Sequence, residues 1–135
     1  MTSKQTNNEA QYINALSRKI LDAAMTVHST LGPGLLESAY EHCLLYELGK
    51  HSVQALSQVQ LPIVYDQQKI EAGYRIDILV ENKIIVELKV VERLLPIHEA
   101  QLLSYLKLAD KRLGLLINFN VNQLRHGIKR MVNDF

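Results

Sequence analysis

Two segments, Tyr74–Val80 and Ile84–Val90, constrain what this 135-residue chain can fold into more than any other part of it. Side chains on a strand alternate between faces. Along the first segment Tyr74, Ile76, Ile78 and Val80 share a face; along the second Ile84, Val86, Leu88 and Val90 do. Glu81-Asn82-Lys83 joins them as a three-residue hairpin loop, a common length. With Val80 opposite Ile84, the eight residues form one apolar surface. A slip of one residue would turn one strand's apolar set away from the core, so the pattern itself selects the register.

That register has a chemical consequence on the other face. It sets Asp77 directly opposite Glu87 and Arg75 opposite Lys89. Directly opposed residues have Cβ atoms roughly 4.5–5.5 Å apart. Two carboxylates at that distance repel unless a cation compensates them. A hard divalent cation, Mg²⁺ or Mn²⁺, suits two carboxylates plus a phosphate oxygen. Lys89 could then stabilise charge developing on a phosphate or orient a water. The competing reading is a solvent-facing strand face on which Arg75 and Lys89 simply pair with Asp77 and Glu87.

The rest of the chain reads as helices and short strands. Residues 1–8 are polar and predicted to fray, leaving one domain over residues 9–135. Ile13, Leu16, Ile20, Ala24, Val27 and Leu31 recur at spacings of three and four, which predicts an amphipathic helix from Glu9 to about Thr30. Gly32-Pro33-Gly34 ends it. A second helix is predicted from Leu35 to Leu48, with Gly49 as its stop. Val59, Leu61, Ile63 and Tyr65 alternate as a strand, interrupted by Pro62, and Asp66–Lys69 is a turn lacking the usual glycine. A third helix is predicted from Ile97 to Ala109, then a strand from Leu113 to Phe119; beyond Val121 the pattern fits helix or strand.

Composition excludes more than it identifies. The chain is 47% hydrophobic and 21% charged with a formal charge of +1, as in an ordinary globular domain and not a strongly basic nucleic-acid binder. From Lys111 to Phe135 five basic residues face one acid, and Arg125, Lys129 and Arg130 are candidates for phosphate contact. Cys43 is the one cysteine, which rules out an internal disulfide or a thiolate zinc site. No apolar run approaches the ~20 residues of a membrane span, and the first residues carry no signal-peptide pattern. The expectation is a cytoplasmic protein without membrane association. His42, His51 and His126 form no metal-ligand spacing, and His28, His98 and Glu99 suit surface or capping roles.

Asp77, followed after nine residues by Glu87-Leu88-Lys89, resembles the D…(D/E)xK signature of the PD-(D/E)XK nuclease superfamily. Gly34-Leu35-Leu36-Glu37-Ser38-Ala39-Tyr40 resembles the element that names its GxxExxY branch. His98–Leu106 resembles the following helix, with Gln101 and Tyr105 as the Q-x-x-x-Y pair of RecB-like nucleases, and Gly114–Phe119 resembles a late strand. The superfamily's Pro-Asp reads Ile76-Asp77 here, a departure that many relatives share. The resemblance implies an α/β, restriction-endonuclease-like fold, a mixed sheet flanked by helices. It implies metal held by Asp77, Glu87, the Leu88 carbonyl and Glu37, with Lys89 catalytic and Gln101 and Tyr105 facing the site. It implies Mg²⁺- or Mn²⁺-dependent cleavage of nucleic acid, DNA before RNA. Oligomeric state stays open, a dimer included. The alternative is a binding module that keeps this fold without turnover. For Glu37 the plainer role is support of a helix N-terminus; for Tyr40 it is core packing.

Overall fold

The computed structural model describes residues 3–135, with side chains from residue 7 onward. Helix α1 (Ser3–Leu31) and helix α2 (Glu37–Lys50) come first. Strands β1 (Ala55–Gln60), β2 (Ile63–Tyr65), β3 (Gln68–Ile70), β4 (Arg75–Val80) and β5 (Ile84–Lys89) follow. Helix α3 (Pro96–Ala109), strand β6 (Leu113–Asn118), a 3₁₀ turn (Leu124–Gly127) and strand β7 (Ile128–Val132) complete the chain. Five strands form one sheet in the order β1-β4-β5-β6-β7, in which only β5 and β6 run parallel. β2 and β3 form a separate hairpin. This is the mixed α/β, restriction-endonuclease-like arrangement expected. Among the described residues no helix is long and apolar enough to cross a membrane.

The sheet is covered on both faces. Ile13, Leu16, Ile20 and Val27 of α1, with Tyr40, Leu44 and Leu48 of α2, pack against Ile78, Val80, Ile84, Val86 and Leu88. On the other face Leu102, Tyr105 and Leu106 of α3 pack against Leu79, Ile85 and Leu116. A parallel pair is normally covered on both sides, and every residue of β6 is buried.

The hairpin register is the one the pattern selects: Val80 pairs with Ile84, Leu79 with Ile85 and Ile78 with Val86. The single apolar surface is not. Ile76 packs into the α3 cluster, and Tyr74 is 43% exposed beside Tyr105. Arg75 does not lie against Lys89; it pairs with Gln60 of β1. The cause is that the β4–β5 ladder stops at Ile78–Val86, so the first residues of β4 follow β1 alone.

Other boundaries shift for local reasons. α1 starts at Ser3, so the frayed segment expected over residues 1–8 is helical from Ser3 on, and its first two residues lie outside the described ones. α2 runs through Gly49 to Lys50. The strand expected through Val59–Tyr65 breaks at Leu61-Pro62, where Leu61 donates its amide to Tyr74. The next turn places Asp66 and Gln67 both at positive φ, the two-residue form that usually takes glycine. The ambiguous C-terminal segment is a 3₁₀ turn followed by an edge strand.

Gly127 lets that 3₁₀ turn rest on the chain below: a Cβ there would collide with the backbone carbonyl of Asn118. At Gly114 a Cβ would come within 2.9 Å of the Leu102 side chain, which can yield by rotating. Overpacking a core costs about 1–3 kcal/mol. Gly127→Ala is therefore expected to destabilise by about 3 kcal/mol or more in urea denaturation, and Gly114→Ala by about 1 kcal/mol. Equal losses would show that the Asn118 carbonyl moves freely.

Candidate active site

Where β4 and β5 part, side chains replace the backbone ladder. The Asp77 amide donates to Glu87 Oε2 at 2.7 Å, and the Leu88 amide donates to Asp77 Oδ2 at 2.9 Å. Each carboxylate thus closes the gap with one oxygen and retains a second. Asp77 is half-buried and Glu87 is only 4% exposed. Leu88 itself is fully buried, so it can serve the site only through its backbone.

Lys89 is the last residue of β5, on the same face as Glu87. Its Nζ donates to Gln101 Oε1 at 3.3 Å, and Gln101 Nε2 donates to Tyr105 Oη at 3.3 Å. Gln101 and Tyr105 lie four apart on α3, so one helix face carries both. The end of β5 is fixed by Asn118 of β6: Val91 donates its amide to Asn118 Oδ1 at 3.1 Å, and Asn118 Nδ2 donates to the Val91 carbonyl at 2.9 Å. Among the described residues no ion pair joins Arg75 or Lys89 to Asp77 or Glu87. The mixed-charge strand face is therefore not what forms.

Glu37 arrives from the opposite layer, and the loop before it explains how. Gly32 and Gly34 both adopt positive φ between α1 and α2. Tyr40, fully buried, donates its hydroxyl to the Gly32 carbonyl at 2.5 Å and accepts the Leu35 amide at 3.2 Å, while its ring stacks on Phe119 at 4.5 Å. Tyr40 is thus a core clamp, as its plainer reading had it, and it sets the start of α2. Glu37 is the first residue of that helix.

The carboxyls and Tyr105 lie close enough for their charges to act on one another. Burial, then the charge of Asp77, pushes the Glu87 carboxyl up to about 8, although the Asp77 amide and Lys89 oppose the shift. Asp77 is raised by burial against the Leu88 amide, Lys89 and Gln58. Glu37 is raised by desolvation and then by Asp77, with Lys89 opposing. A helix N-terminus alone would lower it. Burial, then Glu87 and Asp77, raises the Tyr105 hydroxyl.

Two groups were not singled out from sequence. Glu41 is one turn beyond Glu37, a spacing that could have marked it. It accepts Gln58 Nε2 at 2.8 Å. Gln58 sits in β1 between the pairs Ser57–Ile78 and Val59–Ile76, level with Asp77, with φ of +54°. Nothing in the sequence around it signals that conformation.

Other candidates stand apart from the site. Lys129 lies 3.9 Å from Glu99 of α3, whereas Arg130 donates to Asn14 of α1 and stacks over Phe135, so the two point to opposite faces of the sheet. Arg125 is in the 3₁₀ turn beyond β6. His28 bonds the Val121 carbonyl at 2.7 Å, and His98 Nδ1 accepts the Leu95 amide at the start of α3, both structural tasks.

Hard oxygen donors brought together at a strand junction, with a lysine held beside them, suit a divalent cation that also takes a substrate oxygen. Among the described residues no three acidic, histidine or cysteine side chains converge as a closed cage. An open, two-carboxylate site is what the donor set fits. No curated protein and no solved structure gives a significant match to the chain. A family model described as PD-(D/E)XK nuclease superfamily matches residues 14–131, which span all the site residues named above, and the chain belongs to that superfamily.

Proposed function

We propose that the chain is a metal-dependent nuclease that hydrolyses phosphodiester bonds, DNA before RNA, in the manner of the GxxExxY branch. The observation that carries this reading is the junction at which Asp77 and Glu87 exchange backbone contacts beside a Lys89 held by Gln101. Asp77, Glu87 and the Leu88 carbonyl would hold Mg²⁺ or Mn²⁺, which when bound offsets charge on the phosphoryl group, with the Glu37 carboxylate facing them from α2 without completing a three-acid cage. The protein's own groups do the rest. Gln101 and Tyr105 fix Lys89 Nζ, which stabilises charge at the scissile phosphate. Of the basic residues in the C-terminal segment, Lys129 shares the α3 face with the site and is the first candidate for a phosphate contact; Arg125 and Arg130 would reach only more distant ones.

Lys89→Ala tests catalysis apart from folding. It removes no buried apolar volume, so stability should change by no more than about 1 kcal/mol. Cleavage in Mg²⁺ or Mn²⁺ should fall about 10²–10³-fold, as when a transition-state donor is removed elsewhere. Leu88→Ala carries the opposite signature, a loss of about 2–5 kcal/mol in the melt. A Lys89→Ala protein that cuts as fast as the parent removes Lys89 from the chemistry. A parent that cuts no single-stranded, duplex or branched substrate favours the non-catalytic module.

The raised carboxyls give a pH test of the metal reading. Without metal, the folded state holds a proton on Glu87 up to about pH 8, whereas the unfolded chain releases it near 4.5. The folded state binds more protons across that window, so stability is greatest below it and falls as pH rises to 8. In chelator, the melting temperature should decline from pH 5 to 8 more steeply for the parent than for Glu87→Gln, and millimolar Mn²⁺ should restore the parent most at pH 8. Parallel declines with no effect of Mn²⁺ would place the metal elsewhere.

A further inference from the structure

Beside the catalytic face a groove of about 480 Å³ opens between α3 and the β2–β3 hairpin. Its volume is that of a small-molecule site. Lys89 and Gln101 form one wall, so the groove is continuous with the site. Tyr74 and Tyr105 line it, as does Ile63 from the hairpin. The two tyrosine rings meet edge to face, centroids 6.1 Å apart at 67°. Such a pair uses one ring's face and the other's edge, which leaves π surface for a third ring.

The groove's surroundings are apolar side chains left in water. Tyr74 is 43% exposed, and Ile97, at the start of α3, is 68% exposed. Contiguous exposed apolar surface of this kind is characteristic of ligand-binding grooves and interaction sites. Polar groups stand among these side chains. Ser104 adds a hydroxyl, and His98, whose Nδ1 is taken by the Leu95 amide, retains Nε2. Flat apolar surface with a few hydrogen-bonding groups is the complement of a nucleobase.

We propose that this groove receives the base of a nucleotide next to the phosphate at Lys89, and that the chain therefore acts on unpaired strand. The proposal rests on the nucleolytic reading of the site and adds the form of the substrate. A base inside a duplex has both faces covered by its neighbours, so entering the groove requires it to leave the stack. An already unpaired strand meets no such cost, and stacking on an aromatic ring is tolerant of base identity.

The test is binding of the full-length protein to a labelled thymidine oligonucleotide, followed by anisotropy in chelator. The comparison ligands are the same strand in a duplex and an abasic strand of equal length. The parent should prefer the unpaired strand about tenfold over both. Tyr74→Ala should lose about tenfold on that strand alone, a loss within the range that a single stacked base contributes. Tyr74→Phe should keep the preference. Ser104→Trp, at an exposed position of α3, should fill the groove and lose the preference as well. Equal losses on all three ligands, or tighter binding of duplex by the parent, overturn the proposal. Cleavage in Mn²⁺ separates the two readings. A protein that cuts duplex as fast as single strand, unaffected by Tyr74→Ala, keeps the nuclease and loses the groove. A protein that cuts nothing but shows the Tyr74-dependent preference keeps the groove and loses the nuclease.

Discussion

The structure turns on two hydrogen bonds between an amide of one strand and a carboxylate of the other. An antiparallel pair that separates leaves amides without partners, and a buried unpaired amide costs about 1–3 kcal/mol. Here Glu87 takes the Asp77 amide and Asp77 takes an amide next to Glu87. The bonds hold the strands at the fork, yet they force two acids into a space where both are partly or wholly desolvated. The apolar ladder from Ile78 to Val80 fixes the register that makes this exchange unavoidable. Stability and like-charge conflict therefore come from the same pattern, and the conflict is resolved either by a proton, as the raised Glu87 implies, or by a cation.

The elements around the fork bring further groups to it from both layers. Tyr40 links the core to the loop before α2: its ring packs against Phe119, and its hydroxyl fixes the loop that precedes Glu37. Phe119 in turn donates its amide to the Lys89 carbonyl at 3.0 Å. The core stacking pair and the end of β5 are thus held by one short chain of contacts. The glycines permit the turn, the acid starts the helix within reach of the Asp77 charge, and the tyrosine anchors both.

How far this was legible in the sequence follows from the range of the interactions. The register of β4 and β5 was legible because alternation and a three-residue loop are local and mutually reinforcing, and so were the bodies of α1 and α3. The fork was not, because where a ladder stops depends on which neighbour a strand follows. Ile76 and Arg75 were misplaced for that reason: beyond Ile78 the strand obeys β1, whose contribution is invisible in the β4 pattern. Lys129 and Arg130 look like one basic cluster in the sequence, but adjacency along a strand sends neighbours to opposite faces. Recognising that segment as strand would have split them.

Gln58 shows where local preference and global structure disagree. A glutamine in the left-handed region within a strand carries a cost of order 1–3 kcal/mol, and such strain persists only where the surroundings over-determine it. Its neighbours Ser57 and Val59 keep regular pairing with β4, so the ladder holds the backbone on both sides. Its side chain reaches Glu41 and also lowers the Asp77 carboxyl. The acid on α2 is thereby tied to the edge strand, at the level of the acid on β4. Strained backbone, opposed carboxylates and the end of a ladder coincide at one point of a sheet that is otherwise regularly paired. The Lys89–Gln101–Tyr105 chain lies beside the same point, and places where local rules are broken together are where a fold's demands other than stability are expected.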